Sequence, residues 1–182
     1  KILTKKNSKK FMIINRSFWP NYPIIGEALL MLSEKATKKG FSVSVVMQDK
    51  KDIRTSLKKF NRGKKVSFFP IKTLANADSR IIMKLLNSLF FTLAVLRVLF
   101  KVKPNKIYIS TDPPIIVPFV VMIYCYFCNA SYVYHLQDIH PEATNAIIPL
   151  NKWLFYILIK IDSMTMQNAE KLITITKEMA HE

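Results

Sequence analysis

Lys106–Asp138 reads KIYISTDPPIIVPFVVMIYCYFCNASYVYHLQD, and the fold turns on how this stretch divides. Between Asp112 and His135 no residue carries a charge, so an unbroken run could cross a bilayer. Asn129, Ala130 and Ser131 interrupt it. Before them, Ile115–Cys128 is about 14 residues, the length of a core helix rather than of a span. Pro118 fits such a helix only in its first turn. On either side lie short apolar runs, KIYIST and SYVYHLQD, with the β-branched and aromatic content of strands. Two strands joined by a helix are a parallel pair, and apolar strands of this kind are covered on both faces.

The same alternation continues outward. FMIIN, Phe11–Asn15, reads as a first strand, and the loop RSFWPNYP follows it. Ala28, Leu29, Leu32 and Ala36 recur at helical spacing until Gly40 stops the pattern. FSVSVVM is a second strand. A Lys-rich segment, Lys50–Lys65, leads to KVSFFPI, a third. From about Asp78 to Lys101 a long helix is expected, apolar on most sides yet carrying Arg80, Lys84 and Arg97, with Pro104 ending it. Its internal cations make spanning expensive, so an interfacial or partly buried helix suits it better. After the central unit, Trp153–Asp162 is helical, KLITIT is a last strand and KEMAHE opens another helix. The pattern predicts one α/β domain over residues 1–182, a mostly parallel sheet with helices on both faces. Ligands of such sheets bind outside the carboxyl ends of the strands. Asn15, the Trp19–Gly26 loop, Thr111, Asp112 and Asp138 all follow strands and are expected at that edge.

The formal net charge of +16 is placed unevenly, since Asp78 is the only acid between Ile53 and Thr111. Such a field attracts nucleic acid, anionic lipid or phosphorylated substrates, or is simply a solvated basic face. Two cysteines in 182 residues exclude a disulfide framework. Three glycines argue against long flexible linkers, and no signal-peptide pattern follows the basic start. The chain does not open on Met, so its first residue is expected to be a cut edge.

Few residues suggest chemistry. Cys125 and Cys128 form a C-x-x-C, but with no second ligand pair they are expected to pack as small hydrophobes. His135, Asp138, His140 and Glu142 match no zinc spacing. One of them could act as a general base, or Asp138 could cap the turn that Pro141 shapes. Gly26 could let a substrate approach the backbone, or could serve the turn. No Gly-rich nucleotide fingerprint is present.

Taken in order, FWPNYPIIGEALLMLSEKATKKGFSVSVVM, IYISTDPPI, YVYHLQDIHPEAT and AEKLITITKEM resemble the N-terminal half of a family 4 glycosyltransferase. The similarity is to bacterial enzymes of O-antigen, capsule and exopolysaccharide synthesis, among them fucosamine transferases. Thr111-Asp112-Pro113-Pro114 stands where that subgroup has Thr-Ser-Pro-Pro. Asp138-Ile139-His140-Pro141-Glu142 stands where it has Asp-Leu-Trp-Pro-Glu. His140 replaces the Trp, and Gly26-Glu27 replaces a common Gly-Gly. The resemblance implies a Rossmann-like acceptor domain, the N-terminal half of a GT-B fold. The nucleotide sugar would bind a C-terminal domain beyond Glu182, through a Glu-x7-Glu motif. It implies retention at the anomeric carbon, no metal or other cofactor, and an acceptor often linked to undecaprenyl diphosphate at the inner face of the bacterial plasma membrane. Asp138 is the catalytic candidate. Gly26, Glu27, Thr111, Asp112, His140 and Glu142 are the acceptor-binding candidates. The alternative is a basic membrane- or nucleic-acid-binding module without catalysis.

Overall fold

The structure, a computed structural model, describes residues 9–49, 53–74, 80–137 and 151–176. Asp138, His140, Glu142 and the KEMAHE segment lie outside the described residues. Six strands form one parallel sheet: β1 (Lys10–Ile14), β2 (Ser42–Asp49), β3 (Val66–Lys72), β4 (Lys106–Ser110), β5 (Ser131–Leu136) and β6 (Lys171–Thr174). Their order is β3-β2-β1-β4-β5-β6, which sets β1 beside β4 at the point where the winding reverses. Phe11 pairs with Lys106 and Ile14 with Ile109, so the carboxyl ends of the two central strands finish level. Pro70 lies inside β3 without breaking the ladder, because β3 is an edge strand.

Helices cover both faces. On one, α1 (Pro23–Lys38) and α2 (Ile53–Lys59) bury Leu29, Leu30, Ile53 and Leu57 against Ile13, Val43, Val45 and Met47. On the other, α3 (Ile81–Val102), α4 (Ile116–Cys128) and α5 (Lys152–Gln167) form a layer. Phe91, Val95 and Leu99 of α3 and Val117 and Val121 of α4 pack there with Met12, Ile14, Ile107 and Ile109. Alternate strand residues therefore enter opposite cores, which is why the central strands are apolar throughout.

The apolar stretch at Ile116–Cys128 is a 13-residue core helix, followed by a strand. Asn129 ends it in the left-handed conformation, its N–H bonded to the Cys125 carbonyl. Cys125 is buried, and burial pushes its thiol up to about 12, as expected of a packed hydrophobe. Cys128 is exposed, against expectation, because the last turn of α4 turns that position away from the sheet.

By length and composition α3 is long and apolar enough to cross a membrane. Its inner stripe is instead built into the sheet's core. Buried Asn87 fastens it further, accepting at Oδ1 from Gln48 Nε2 (3.0 Å) and from the Leu74 amide (2.8 Å). The short α2 was not legible as a helix within the Lys-rich segment. It buries only Ile53 and Leu57, a single i, i+4 pair.

Candidate functional site at the carboxyl edge

The tips of β1, β4 and β5 are stitched together by the residues that follow each strand. After β1, Asn15 is buried between two partners: its Nδ2 donates to the Ser17 carbonyl, and its Oδ1 accepts from the Ser110 hydroxyl. The Asp112 amide donates back to Ser110 Oγ at 3.1 Å. Asp112 then holds the β1 loop from its own side. Its carbonyl accepts from the Arg16 amide (2.8 Å) and its Oδ2 from the Ser17 amide (2.9 Å), while its Oδ1 meets the Arg16 guanidinium at 2.7 Å. Asp112 is mostly buried and Arg16 reaches solvent, so this corner presents a cation. Arg16 was missed in the sequence. The available signal was its place two residues beyond the end of the central strand.

Thr111 makes the second stitch, toward β5. Its amide donates to the His135 carbonyl, and its Oγ1 accepts from the Gln137 amide, each at 3.1 Å. A hydroxyl thereby continues the β4–β5 ladder one step past its end. Asp138 is the residue immediately after Gln137 in sequence. Tyr108 and His135 meet behind this edge, with the Tyr108 hydroxyl hydrogen-bonded to Nδ1. Burial pushes the phenol up to about 12 and holds the imidazole below the usual histidine range. With both groups neutral, the phenol donates and the imidazole carries its proton on Nε2.

The two α1 candidates are placed differently. Gly26 is buried under the loop that follows β1. A Cβ there would lie 2.2 Å from the Trp19 nitrogen and 2.6 Å from the Phe18 carbonyl carbon. The close approach that requires glycine is thus to the protein's own backbone. Glu27 turns toward Arg62, whose guanidinium it accepts at 2.8 Å. Glu34 takes the other side of Arg62 at 2.9 Å and also accepts the Gly63 amide at 2.8 Å. The hydrogen bond from Arg62 holds the Glu34 carboxyl below its ordinary range, and the two acids raise the guanidinium in turn. Of the candidates, the structure ties the adjacent Thr111 and Asp112 to the tips of β5 and β1 respectively. It sets Gly26 beneath the loop and commits Glu27 to an ion pair. Among the described residues no group of three or more His, Cys, Asp or Glu could hold a metal ion.

No protein-family model matches the chain, and no curated protein matches its sequence. Solved structures do share its fold. MurG of Acinetobacter baumannii superposes with a TM-score of 0.52 at 14% identity, over 92% of this chain and 42% of MurG. LpCGTa in complex with UDP gives a TM-score of 0.58 at 10% identity, over 94% of this chain and 46% of that one. A UDP-glucosyltransferase from Polygonum tinctorium gives 0.52 at 11% identity, over 94% and 46%. The chain spans less than half the length of each. Its six-stranded parallel sheet, wound in both directions from the β1–β4 junction, is a Rossmann-like α/β fold of the GT-B type, shared with these structures.

Proposed function

We propose that the chain is the acceptor-binding half of a retaining glycosyltransferase of the family 4 type. It would move a sugar from a nucleotide donor to a hydroxyl of a lipid-linked glycan in surface polysaccharide synthesis. The observation that carries this reading is the convergence of three strand tips at the β1–β4 junction, where doubly wound sheets bind ligands. In the transfer, the acceptor hydroxyl attacks the anomeric carbon, the nucleoside diphosphate leaves with its bonding electrons, and the hydroxyl proton passes to a base or to the leaving group. Asp138 is assigned to that hydroxyl, orienting or polarising it. Thr111 positions the chain entering Asp138, since its Oγ1 holds the preceding amide. Asp112 aims Arg16, whose cation suits the diphosphate of an undecaprenyl-linked acceptor. His140 and Glu142 are further acceptor contacts. Gly26 and Glu27 contribute by seating the Trp19 loop and α1. The nucleotide sugar would bind a C-terminal domain, with no metal required. The enzyme would work on the inner face of a bacterial plasma membrane.

The test is Asp138→Asn in the full-length enzyme, assayed with nucleotide sugar and acceptor. Turnover should fall by about 10²-fold or more, the scale of general-base catalysis, with unchanged circular dichroism. Near-normal turnover would remove Asp138 from the reaction.

A further inference from the structure

The amino edge of the sheet, opposite the Thr111–Asp112 crevice, gathers charge. Lys38 and Lys39 precede β2, Lys64 and Lys65 precede β3, and Lys103 precedes β4, all of them exposed. The strands start within a residue of one another, so these five stand along one rim. From β3 to β4 it spans three strand spacings, about 14 Å. Among the described residues none of the five is in an ion pair, while Glu34 and Glu170 are held by Arg62 and Lys106. Cations near the ends of α1 and α3 suit those helix termini. Lys64 and Lys65 lie beyond the end of α2 and have no such role. Lys65 and Lys103 also adopt the left-handed conformation, with φ 63° and 52°, which glycine takes at less cost. A charge is therefore kept at two places where the backbone would favour its removal.

An apolar groove of about 480 Å³ adjoins this rim. Helices α4 and α5 end at the amino edge, since each leads into a parallel strand, and the groove lies between their last turns. Met122, Tyr126, Phe127, Met164 and Ala169 line it. Tyr126 is 83% and Phe127 78% exposed, their rings in edge contact. Glu170 also lines the groove and pairs at 2.6 Å with Lys106, the residue that opens β4, so groove and lysine rim meet there.

We propose that this edge docks an acidic segment of a partner protein, whose carboxylates meet the lysine rim and whose apolar side chain enters the groove. Charge complementarity and the groove together select that occupant. Lysine presents point charges without the planar fork by which arginine grips phosphate, and the Arg62 guanidinium is committed to Glu27 and Glu34. Flexible methionines fit the groove to an aliphatic side chain. A nucleic acid brings negative charge without that apolar anchor. A second copy of the chain, at +16, brings the wrong sign. The inference stands apart from the transferase reading, because a partner here leaves the crevice at the other edge open.

The test is fluorescence anisotropy of labelled polyglutamate peptides at low salt, with and without a pair of leucines at either end. The chain should bind polyglutamate, and one leucine-bearing peptide should bind about tenfold tighter, the scale of burying a leucine. Lys65→Gly with Lys103→Gly removes two charges where the backbone accepts glycine. The melting temperature should hold, and affinity for every peptide should fall about fivefold. Lys84→Ala with Lys152→Ala, the same charge change at the carboxyl edge, should leave affinity within about twofold. Tyr126→Ala with Phe127→Ala should abolish the leucine advantage and keep polyglutamate binding. Parental binding by the Lys65–Lys103 variant, an equal loss in the Lys84–Lys152 variant, or no leucine advantage each overturns the inference. So does an oligothymidylate that binds through the same lysines more tightly than any of the peptides, which would make the edge a nucleic-acid surface.

Discussion

The two helical layers bury similar inner stripes and differ on the outside. The α1–α2 layer carries an ion-pair network on its outer surface, beside exposed Ile24, Met31 and Phe60: Arg62 spans Glu27 and Glu34, and Glu34 also fixes the Gly63 amide. The α3–α4–α5 layer keeps leucine, isoleucine, tyrosine and tryptophan exposed on its outer side and places its polar contacts inside. There, Tyr134 donates to Asp162 Oδ1 at 3.1 Å and Tyr132 to the Thr165 carbonyl, both buried. Since either arrangement supports the same sheet, the outer faces are not demanded by the fold.

The comparison can be broken hardest at Gly26. An added methyl collides with the Trp19 backbone, so Gly26→Ala should cost about 3 kcal/mol and displace the loop after β1. Chemical denaturation measures the loss, and a stability within 0.5 kcal/mol of the parent, on the order of a neutral surface change, would deny the close approach. Next in size is Tyr134→Phe in the other layer, which takes one hydrogen bond from a buried carboxylate. About 1–2 kcal/mol should be lost, and the α4–α5 amides should exchange faster with deuterium. The smallest effect, about 1 kcal/mol at neutral pH, is expected for Glu34→Gln, whose ion pair is partly solvated. Its sign with pH is definite. The folded carboxyl lies below its ordinary value, so its contribution is complete above that value and disappears as the pH falls through the folded one. Denaturation from neutral to acidic pH should show the parent and variant converging. A constant gap between them would mean that the contact stabilises through packing rather than charge.

His135 adds to the same acid sensitivity. Its folded value is lowered by burial, so the unfolded chain takes up its proton first as the pH drops below the usual histidine value near 6.5. Stability is then lost over that range and further down to the folded value.

The central strands were readable because each enters two cores at once, and continuous apolar runs leave little else for the chain to do. The break at Asn129–Ser131 was equally plain, and it separated a core helix from a span. Helix α2 was hidden because two apolar residues in a basic segment carry no visible period. Pro70 gave no warning of its tolerance, which comes from β3 lying at the sheet's edge. At the site, Thr111 and Asp112 were legible as residues following a strand, whereas their partners were not. Arg16 and Ser17 are about 95 residues away in sequence, and only the β1–β4 pairing makes them neighbours.

The sequence alone determined the alternation of strand and helix, the excess of positive charge and the polar residues that end each strand. Those properties are local, set by side-chain periodicity and backbone preference. Tertiary structure alone decided that Gly26 serves the Trp19 backbone, that Glu27 belongs to Arg62 and that the starts of α3 and α5 expose their apolar residues along one rim. Each of these depends on which elements the parallel winding brings together, and winding order is a property of packing rather than of any single segment.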